Sequence, residues 1–259
     1  MILEELAKYS EYRVEQAKKL KALDDIKEEA YRLPKGKGCF KTALGRDGVS
    51  FICEVKKASP SKGIIDAEFD YLNIARDYER AGADCISCLT EPKWFLGSDR
   101  IFREIRDSIS LPMLRKDFTV DEYQIYEAKC MGADAVLLIC SILSADRLCE
   151  YLGICNALGL DALVETHNAE EIKTAVAAGA EIIGVNNRNL KDFSMNLGNA
   201  AELGKIIPEE IIFVAESGIK TAEDVKRMHE GGADAVLVGE TLMRAADKTA
   251  ALAELKGEL

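Results

Sequence analysis

The sequence predicts an α/β fold: a closed (βα)8 barrel of the TIM type, carrying an extra N-terminal helical segment. Three observations lead there. Short apolar runs near 49–55, 84–89, 112–115, 135–139, 161–164, 182–185, 211–215 and 235–238 alternate with helical patterns. Strict alternation of this kind gives a parallel sheet with right-handed crossovers. A Gly-Ala-acid triplet recurs at Gly82-Ala83-Asp84, Gly132-Ala133-Asp134, Gly179-Ala180-Glu181 and Gly232-Ala233-Asp234, about two βα units apart. In each triplet the glycine ends a helix and the acid precedes a strand. Finally, eight βα units without a GxGxxG after the first strand favour a closed barrel over an open dinucleotide-binding sheet.

Taken in order, residues 1–32 read as helix. Leu3, Leu6, Tyr9, Tyr12, Ala17, Leu20, Leu23 and Ile26 recur at helical intervals among charges. Pro34-Lys35-Gly36-Lys37-Gly38 ends that segment. Residues 1–45 are therefore expected to be a helical extension and 46–259 the barrel, within one domain overall. The eight helical patterns of the barrel fall at 69–81, 99–108, 121–131, 144–158, 168–178, 196–205, 221–231 and 240–255.

Composition narrows the function. With 48% hydrophobic and 31% charged residues, the chain is typical of a globular protein with a full core. It has no long apolar run and no signal-peptide pattern at its start, so a cytoplasmic location is expected. A net charge of -11 argues against nucleic acid or an anionic membrane as partner. A small anionic ligand stays compatible if lysines, arginines and helix N-termini gather locally. A monomer is the working expectation. The eight cysteines are irregularly spaced, and Cys85-Ile86-Ser87-Cys88 lies inside an apparent strand, so they read as buried small hydrophobes. With only His167 and His229, a histidine-rich metal centre is not expected.

In barrels of this kind, the chemistry gathers at the C-terminal ends of the strands. Strand 1 ends in Glu54-Val55-Lys56, where alternation puts Glu54 and Lys56 on one face. Alone, that pair reads as an internal salt bridge. The pattern recurs, however. Strand 3 ends in Lys116-Asp117-Phe118, strand 5 in Glu165-Thr166-His167 and strand 7 in Glu216-Ser217-Gly218. Residues from alternate strands share a layer, so Glu54, Lys116, Glu165 and Glu216 are expected to converge on one cavity. Interleaved acids and amines can supply both a general acid and a general base. Arg115 and Asp117 are expected to point away. Ser217-Gly218 after strand 7 and Gly239-Glu240 after strand 8 suit a phosphate, with glycine allowing close backbone approach. Glu240 would face away from it, in the first turn of a helix.

Together these stretches resemble the indole-3-glycerol-phosphate synthase family. The resemblance spans the whole chain through Glu54 to Gly63, Leu89-Thr90-Glu91-Pro92-Lys93-Trp94-Phe95-Leu96-Gly97-Ser98 and Leu114 to Phe118. It continues through Leu163 to His167, Gly184-Val185-Asn186-Asn187-Arg188-Asn189-Leu190, Ala215 to Ile219 and Val238 to Met243. Pro92 stands where an acid is common and Thr166 where valine is common; the ionisable residues to which the resemblance gives a role are kept. The resemblance implies a carbon–carbon carboxy-lyase of tryptophan biosynthesis. It would convert 1-(2-carboxyphenylamino)-1-deoxyribulose 5-phosphate to indole-3-glycerol phosphate, CO2 and water, with no metal or organic cofactor. It makes Lys116 the general acid, and gives Lys56 the substrate carboxylate or a later proton transfer. Glu165 and Glu54 would stabilise the cation and remove protons. Asn186 would bind sugar hydroxyls, supported by Arg188 and Glu216. Phe95 and Phe118 would hold the aromatic ring, Ser59 would contact substrate, and Ser217, Gly218, Gly239 and Glu240 would line the phosphate site.

Two other readings stand beside this one. A phosphoribosylanthranilate isomerase-like barrel would use a Cys/Asp acid–base pair, and Cys53 is not placed for that. A non-catalytic phosphosugar-binding barrel would bind without turnover, which the retained Lys116 and Glu165 oppose. Indole-forming turnover separates all three. His167 reads as a loop residue beside Glu165, His229 as surface, and Trp94 equally as substrate contact or loop packing.

Overall fold

The computed structural model describes residues 2–189 and 194–257. Eight parallel strands close a barrel: β1 (Ser50–Val55), β2 (Cys85–Leu89), β3 (Met113–Lys116), β4 (Ala135–Ile139), β5 (Asp161–Thr166), β6 (Ile182–Asn186), β7 (Ile212–Glu216) and β8 (Ala235–Val238). Each strand pairs with the next in sequence, and β8 returns to β1 with Ser50 opposite Ala235. Three helices precede them, α1 (Ile2–Leu20), α2 (Leu23–Arg32) and α3 (Cys39–Leu44). The crossovers are α4 (Tyr71–Arg80), α5 (Asp99–Arg106), α6 (Glu122–Cys130), α7 (Ala145–Leu158), α8 (Ala169–Ala177), α9 (Leu197–Gly204) and α10 (Ala222–Glu230). After β8 come α11 (Glu240–Arg244) and α12 (Lys248–Leu255). Among the described residues, no helix is long and apolar enough to cross a membrane.

Strand alternation sorts the core into two shells. Outward-facing Phe51, Cys53, Ile86, Cys88, Val164, Ile183 and Val236 pack under the crossover helices. Inward-facing Ile52, Leu114, Leu163 and Val214, from the odd strands, fill the barrel. Two residues further along those strands lie Glu54, Lys116, Glu165 and Glu216. The charged layer thus sits directly on an apolar one, as the period of two requires. Phe40 and Leu44 of α3 join the same interior cluster, as do Leu6 of α1 and Phe118.

The triplet acids explain their own recurrence. A carboxylate oxygen of Asp84 accepts from the Phe51 N–H, Asp134 from Met113 and Asp234 from Phe213, each at 2.8 Å. Each aspartate thus satisfies a backbone donor at the start of the preceding strand that would otherwise be orphaned. Glu181 departs from this: its longer side chain reaches Lys41 at 3.0 Å. The four triplet glycines all take positive φ, between 79 and 93°, which glycine adopts without a Cβ clash.

The structure differs from the sequence expectation in three places. The N-terminal helix is two helices, broken at Lys21 and Ala22. Lys18 and Lys19 end the first and Asp24 and Asp25 begin the second, so both dipoles are complemented across the break. The turn lets Ile26 and Ala30 reach the core while Leu6 and Val14 stay buried on α1. The last helical stretch also divides, because Asp247 caps α12 by accepting from the Ala250 N–H at 2.9 Å. In the loop after β1, Ala58–Ser59 and Gly63–Ile64 form a small antiparallel hairpin.

Candidate active site

A cavity of about 720 Å³ opens at the C-terminal ends of the strands. The side chains expected there from sequence meet on it: Glu54, Lys56, Ser59, Phe95, Lys116, Phe118, Glu165, Asn186, Arg188 and Glu216 all line it. So do the turns at Ser217, Gly218, Gly239 and Glu240. Leu190 lies outside the described residues.

Lys116 is the centre of the charged layer. Its Nζ donates to Glu165 Oε2 at 3.0 Å and lies 3.3 Å from Glu216 Oε2. Burial works against its charge, but Glu165, Glu216 and Glu54 together raise its pKa above that of a free lysine. It is therefore an ammonium at rest. The two carboxylates beside it are driven apart. Burial favours the neutral form of Glu165, yet Lys116, the nearby His167 ring and a bond from Asn186 hold its pKa well below the usual carboxylate range. Glu216 is pushed up, by burial and then by the neighbouring Glu165 charge, against the pull of Lys116. One lysine between two carboxyls whose pKa values are driven in opposite directions is an arrangement suited to moving protons. Asn186 Nδ2 completes it, donating to Glu165 Oε1 at 3.1 Å.

Opposite this group, Lys56 Nζ donates to Glu54 Oε1, and Ser87 Oγ lies 3.4 Å from Glu54 Oε2. The absence of a side chain at Gly239 makes room for this pair. A Cβ there would stand 2.5 Å from Glu54 Oε1 and 3.0 Å from Lys56 Nζ. Gly184 does the same for Glu216, since its Cβ would stand 2.1 Å from Oε1. On the apolar side, the Phe95 and Phe118 rings lie 6.1 Å apart at 44°, with Leu137 and Ile139 of β4 beside them on the wall.

The turn after β7 has an unusual backbone. Ser217 and Gly218 take φ of 68 and 84° in succession, and a left-handed non-glycine residue is a conformation found mostly where function requires it. A Cβ on Gly218 would meet Met195 Cε at 2.4 Å. Cations ring the mouth. Arg188 donates to Ser61 Oγ at 3.1 Å, and Lys62 stands 3.6 Å from Glu240. The Glu240 carboxylate therefore does not face away as expected; it lies on the cavity rim, bonded to Arg244 at 3.1 Å.

Arg115 turns outward as expected, bonded to Glu127 at 2.6 Å and Asp99 at 3.0 Å. Asp117 turns away too and pairs nearby, where α1 reaches it. Arg13 binds both its oxygens, at 2.6 and 3.1 Å, and Thr90 Oγ1 donates at 2.6 Å. Trp94 packs edge-on against Tyr9 of α1 at 5.5 Å. Glu91 escaped sequence reasoning. It is buried and accepts from the backbone N–H groups of Lys93, Trp94 and Phe95, which turns Phe95 towards the cavity. His167, expected as a bystander, lies between Glu165 and Glu171. Ser61, Lys62 and Gly184 were visible only as members of longer motifs.

The indole-3-glycerol phosphate synthase family model matches residues 3–255. The chain belongs to the indole-3-glycerol phosphate synthase family. Relatives bearing that family name are similar to it from end to end. One from Ruminiclostridium cellulolyticum is 51% identical, covering 99% of each chain. One from Endomicrobium trichonymphae is also 51% identical, covering 99% of this chain and 100% of its own. Solved structures share this chain's fold at low identity. A 3-hexulose-6-phosphate synthase superposes with TM-score 0.65 and 17% identity over 82% of this chain and 100% of its own. A thiamine phosphate pyrophosphorylase from Pyrococcus furiosus gives TM-score 0.60 at 17% identity over 84% of this chain and 96% of its own. Among the described residues, no group of three or more His, Cys, Asp or Glu is arranged to hold a metal ion.

Proposed function

We propose that the charged layer around Lys116 closes an indole ring on a phosphorylated substrate. The reaction is indole-3-glycerol phosphate synthesis, a decarboxylating lyase step of tryptophan biosynthesis. The substrate is 1-(2-carboxyphenylamino)-1-deoxyribulose 5-phosphate. The observation that carries the assignment of roles is the lysine held between two unlike carboxyls, 3.0 and 3.3 Å away, in a cavity that Phe95 and Phe118 also line.

Each step calls on a different group. The ring carbon bearing the carboxylate bonds to the ketone carbon, and the carbonyl electron pair takes a proton from Lys116 Nζ. Positive charge now rests on the ring and its nitrogen, where ionised Glu165 and Glu54 stabilise it. CO2 leaves, and the electrons of its C–C bond restore the aromatic ring. The new hydroxyl then leaves as water while a carboxylate removes the adjacent C–H proton. Lys56, beside Glu54, is placed to hold the substrate carboxylate or to protonate the departing hydroxyl. Asn186, Arg188 and Glu216 hold the sugar and the polar network, and Ser59 contacts substrate. Phe95 and Phe118 grip the ring, and Ser217, Gly218, Gly239 and the backbone at Glu240 receive the phosphate. A walled cavity also keeps water from the intermediates.

Residues 1–45 form a helical extension and 46–259 the barrel, within one domain, a reading supported by Arg13 and Leu6 packing at the barrel mouth. The protein acts in the cytoplasm, consistent with eight free thiols, and as a monomer. Light scattering tests the last point. The activity is tested by supplying the substrate without added metal and following indole fluorescence and CO2 together. Stoichiometric appearance of both is expected; binding without product would overturn the reading.

A further inference from the structure

His167 lies one residue beyond β5, and both of its ring nitrogens face carboxylates. Nε2 is 3.3 Å from Glu165 Oε1, and Nδ1 is 3.2 Å from Glu171 Oε2. Nε2 is buried, and the group it faces is the Glu165 carboxylate. Glu171 is itself held in place. It accepts from the His167 backbone N–H at 2.8 Å and from Asn168 Nδ2 at 2.9 Å, in the first turn of α8. A neutral imidazole has one N–H and one lone pair. Between two carboxylates, either tautomer would aim its lone pair at an anion. Only the imidazolium satisfies both sides.

We propose that His167 is a positioning residue: a permanent imidazolium that keeps Glu165 ionised while Lys116 gives up its proton. The need for it follows from the reaction described above, on which the proposal rests. Before ring closure, Glu165 has the Lys116 ammonium at 3.0 Å. Once Nζ has passed its proton to the ketone oxygen, that cation is gone. A buried carboxylate stripped of its counter-charge takes up a proton. Glu165 would then compete with the substrate oxygen and could no longer stabilise the cationic ring. His167 stands on the other oxygen of the carboxylate and takes no part in the transfer, so its charge persists through the step. The Glu171 carboxylate keeps that charge on the ring.

The surroundings agree. Burial opposes the charge, but Glu165 and Glu171 raise the His167 pKa to about 10. Beyond Glu165 lies Lys116. From the turn after β4, Cys140 packs its thiol on the Glu171 backbone at 3.7 Å, and burial pushes that thiol up to about 12, so it stays neutral. From α9, Asn199 donates to the His167 carbonyl at 3.4 Å without adding charge.

Having only two histidines makes the test direct. In the His229→Asn variant, which alters an exposed position on α10, a single imidazole remains for nitrogen NMR. Both ring nitrogens are expected to stay protonated through pH 8.5. A neutral ring at pH 8 would overturn the proposal, and because no turnover is needed, that failure is separate from failure of the indole-forming assay. Kinetics give the second arm. His167→Gln should lower kcat about 10- to 100-fold, the effect of one charge-assisted contact, with KM changed less than about threefold. Glu171→Gln should bring the His167 titration down, so that kcat falls as pH rises through the new value while the wild type stays flat there. Wild-type kcat and pH profiles in both variants would overturn the proposal.

Discussion

Gly184→Ala would add one methyl group in the middle of β6, directly against Glu216. The added Cβ would lie 2.1 Å from Glu216 Oε1, and ordinary contact begins at 3.4 Å, so the carboxylate must retreat by about 1.3 Å. Backbone movement cannot absorb this, because β6 is paired on both sides, with Gly184 opposite Glu165 and Val214. Leu163 Cδ1, at 3.2 Å from the new atom, blocks the other direction. The retreating carboxylate takes with it the 3.3 Å contact to Lys116. A misplacement of about 1 Å in a reacting constellation costs on the order of 10²-fold in rate. The overpacking itself costs about 1–3 kcal/mol of stability, so the variant should fold. We expect kcat to fall about 100-fold, read from initial rates of indole fluorescence, with circular dichroism unchanged. A folded variant with kcat within about threefold of wild type would refute the idea that Gly184 is there to admit Glu216.

Other perturbations separate the remaining groups. Lys116→Ala should lower kcat by about 10²- to 10⁴-fold while fluorescence titration still shows substrate binding; near-normal turnover would remove Lys116 as the acid. Gly239→Ala should depress kcat about tenfold or more as well as raise KM, because its Cβ crowds Glu54 and Lys56 as well as any phosphate. A pure KM effect in steady-state kinetics would contradict that geometry. Arg13→Met should cost about 3 kcal/mol in urea unfolding at pH 7, since it leaves buried Asp117 short of a counter-charge. Burial opposes ionisation of Asp117, but Arg13 and Arg115 hold its folded pKa below the ordinary value of 3.8. The stabilisation is therefore complete above about pH 4 and lost as pH falls through the folded value. A mutant deficit that is equally large at pH 3 and pH 7 would count against the pair.

The catalytic layer was legible because a strand has a period of two. Once Leu114 is inward, Lys116 must be, and the same holds for Glu54, Glu165 and Glu216. The triplet glycines were legible too, as helix stops. Glu91 was not, because it acts by gathering three backbone N–H groups in a loop, and no spacing in the sequence announces where a loop folds back. His167 lies one residue past the strand, where alternation no longer assigns a direction. Glu240 at the rim was not legible, because Lys62, which stands 3.6 Å from its carboxylate, comes from the distant loop after β1. Its other partner, Arg244, lies one turn on in α11. The break between α1 and α2 was written in the sequence as lysines followed by aspartates, but hydrophobic spacing carries across that break and hides it.

Glu181 gives the barrel a seam. At three of the four triplets an aspartate stitches neighbouring strands together with its own side chain. At the fourth, between β5 and β6, the longer acid leaves the sheet and clasps Lys41 at 3.0 Å, while the Lys41 N–H is bonded to Asp161 at the start of β5 at 2.9 Å. The first forty-odd residues thus act as a removable stitch as well as a cover. Amide exchange would show this as the place where the closed ring comes undone first: shortening the chain from its N-terminus should speed exchange at the base of β5 and β6 well before the pinned strands β1, β3 and β7 respond.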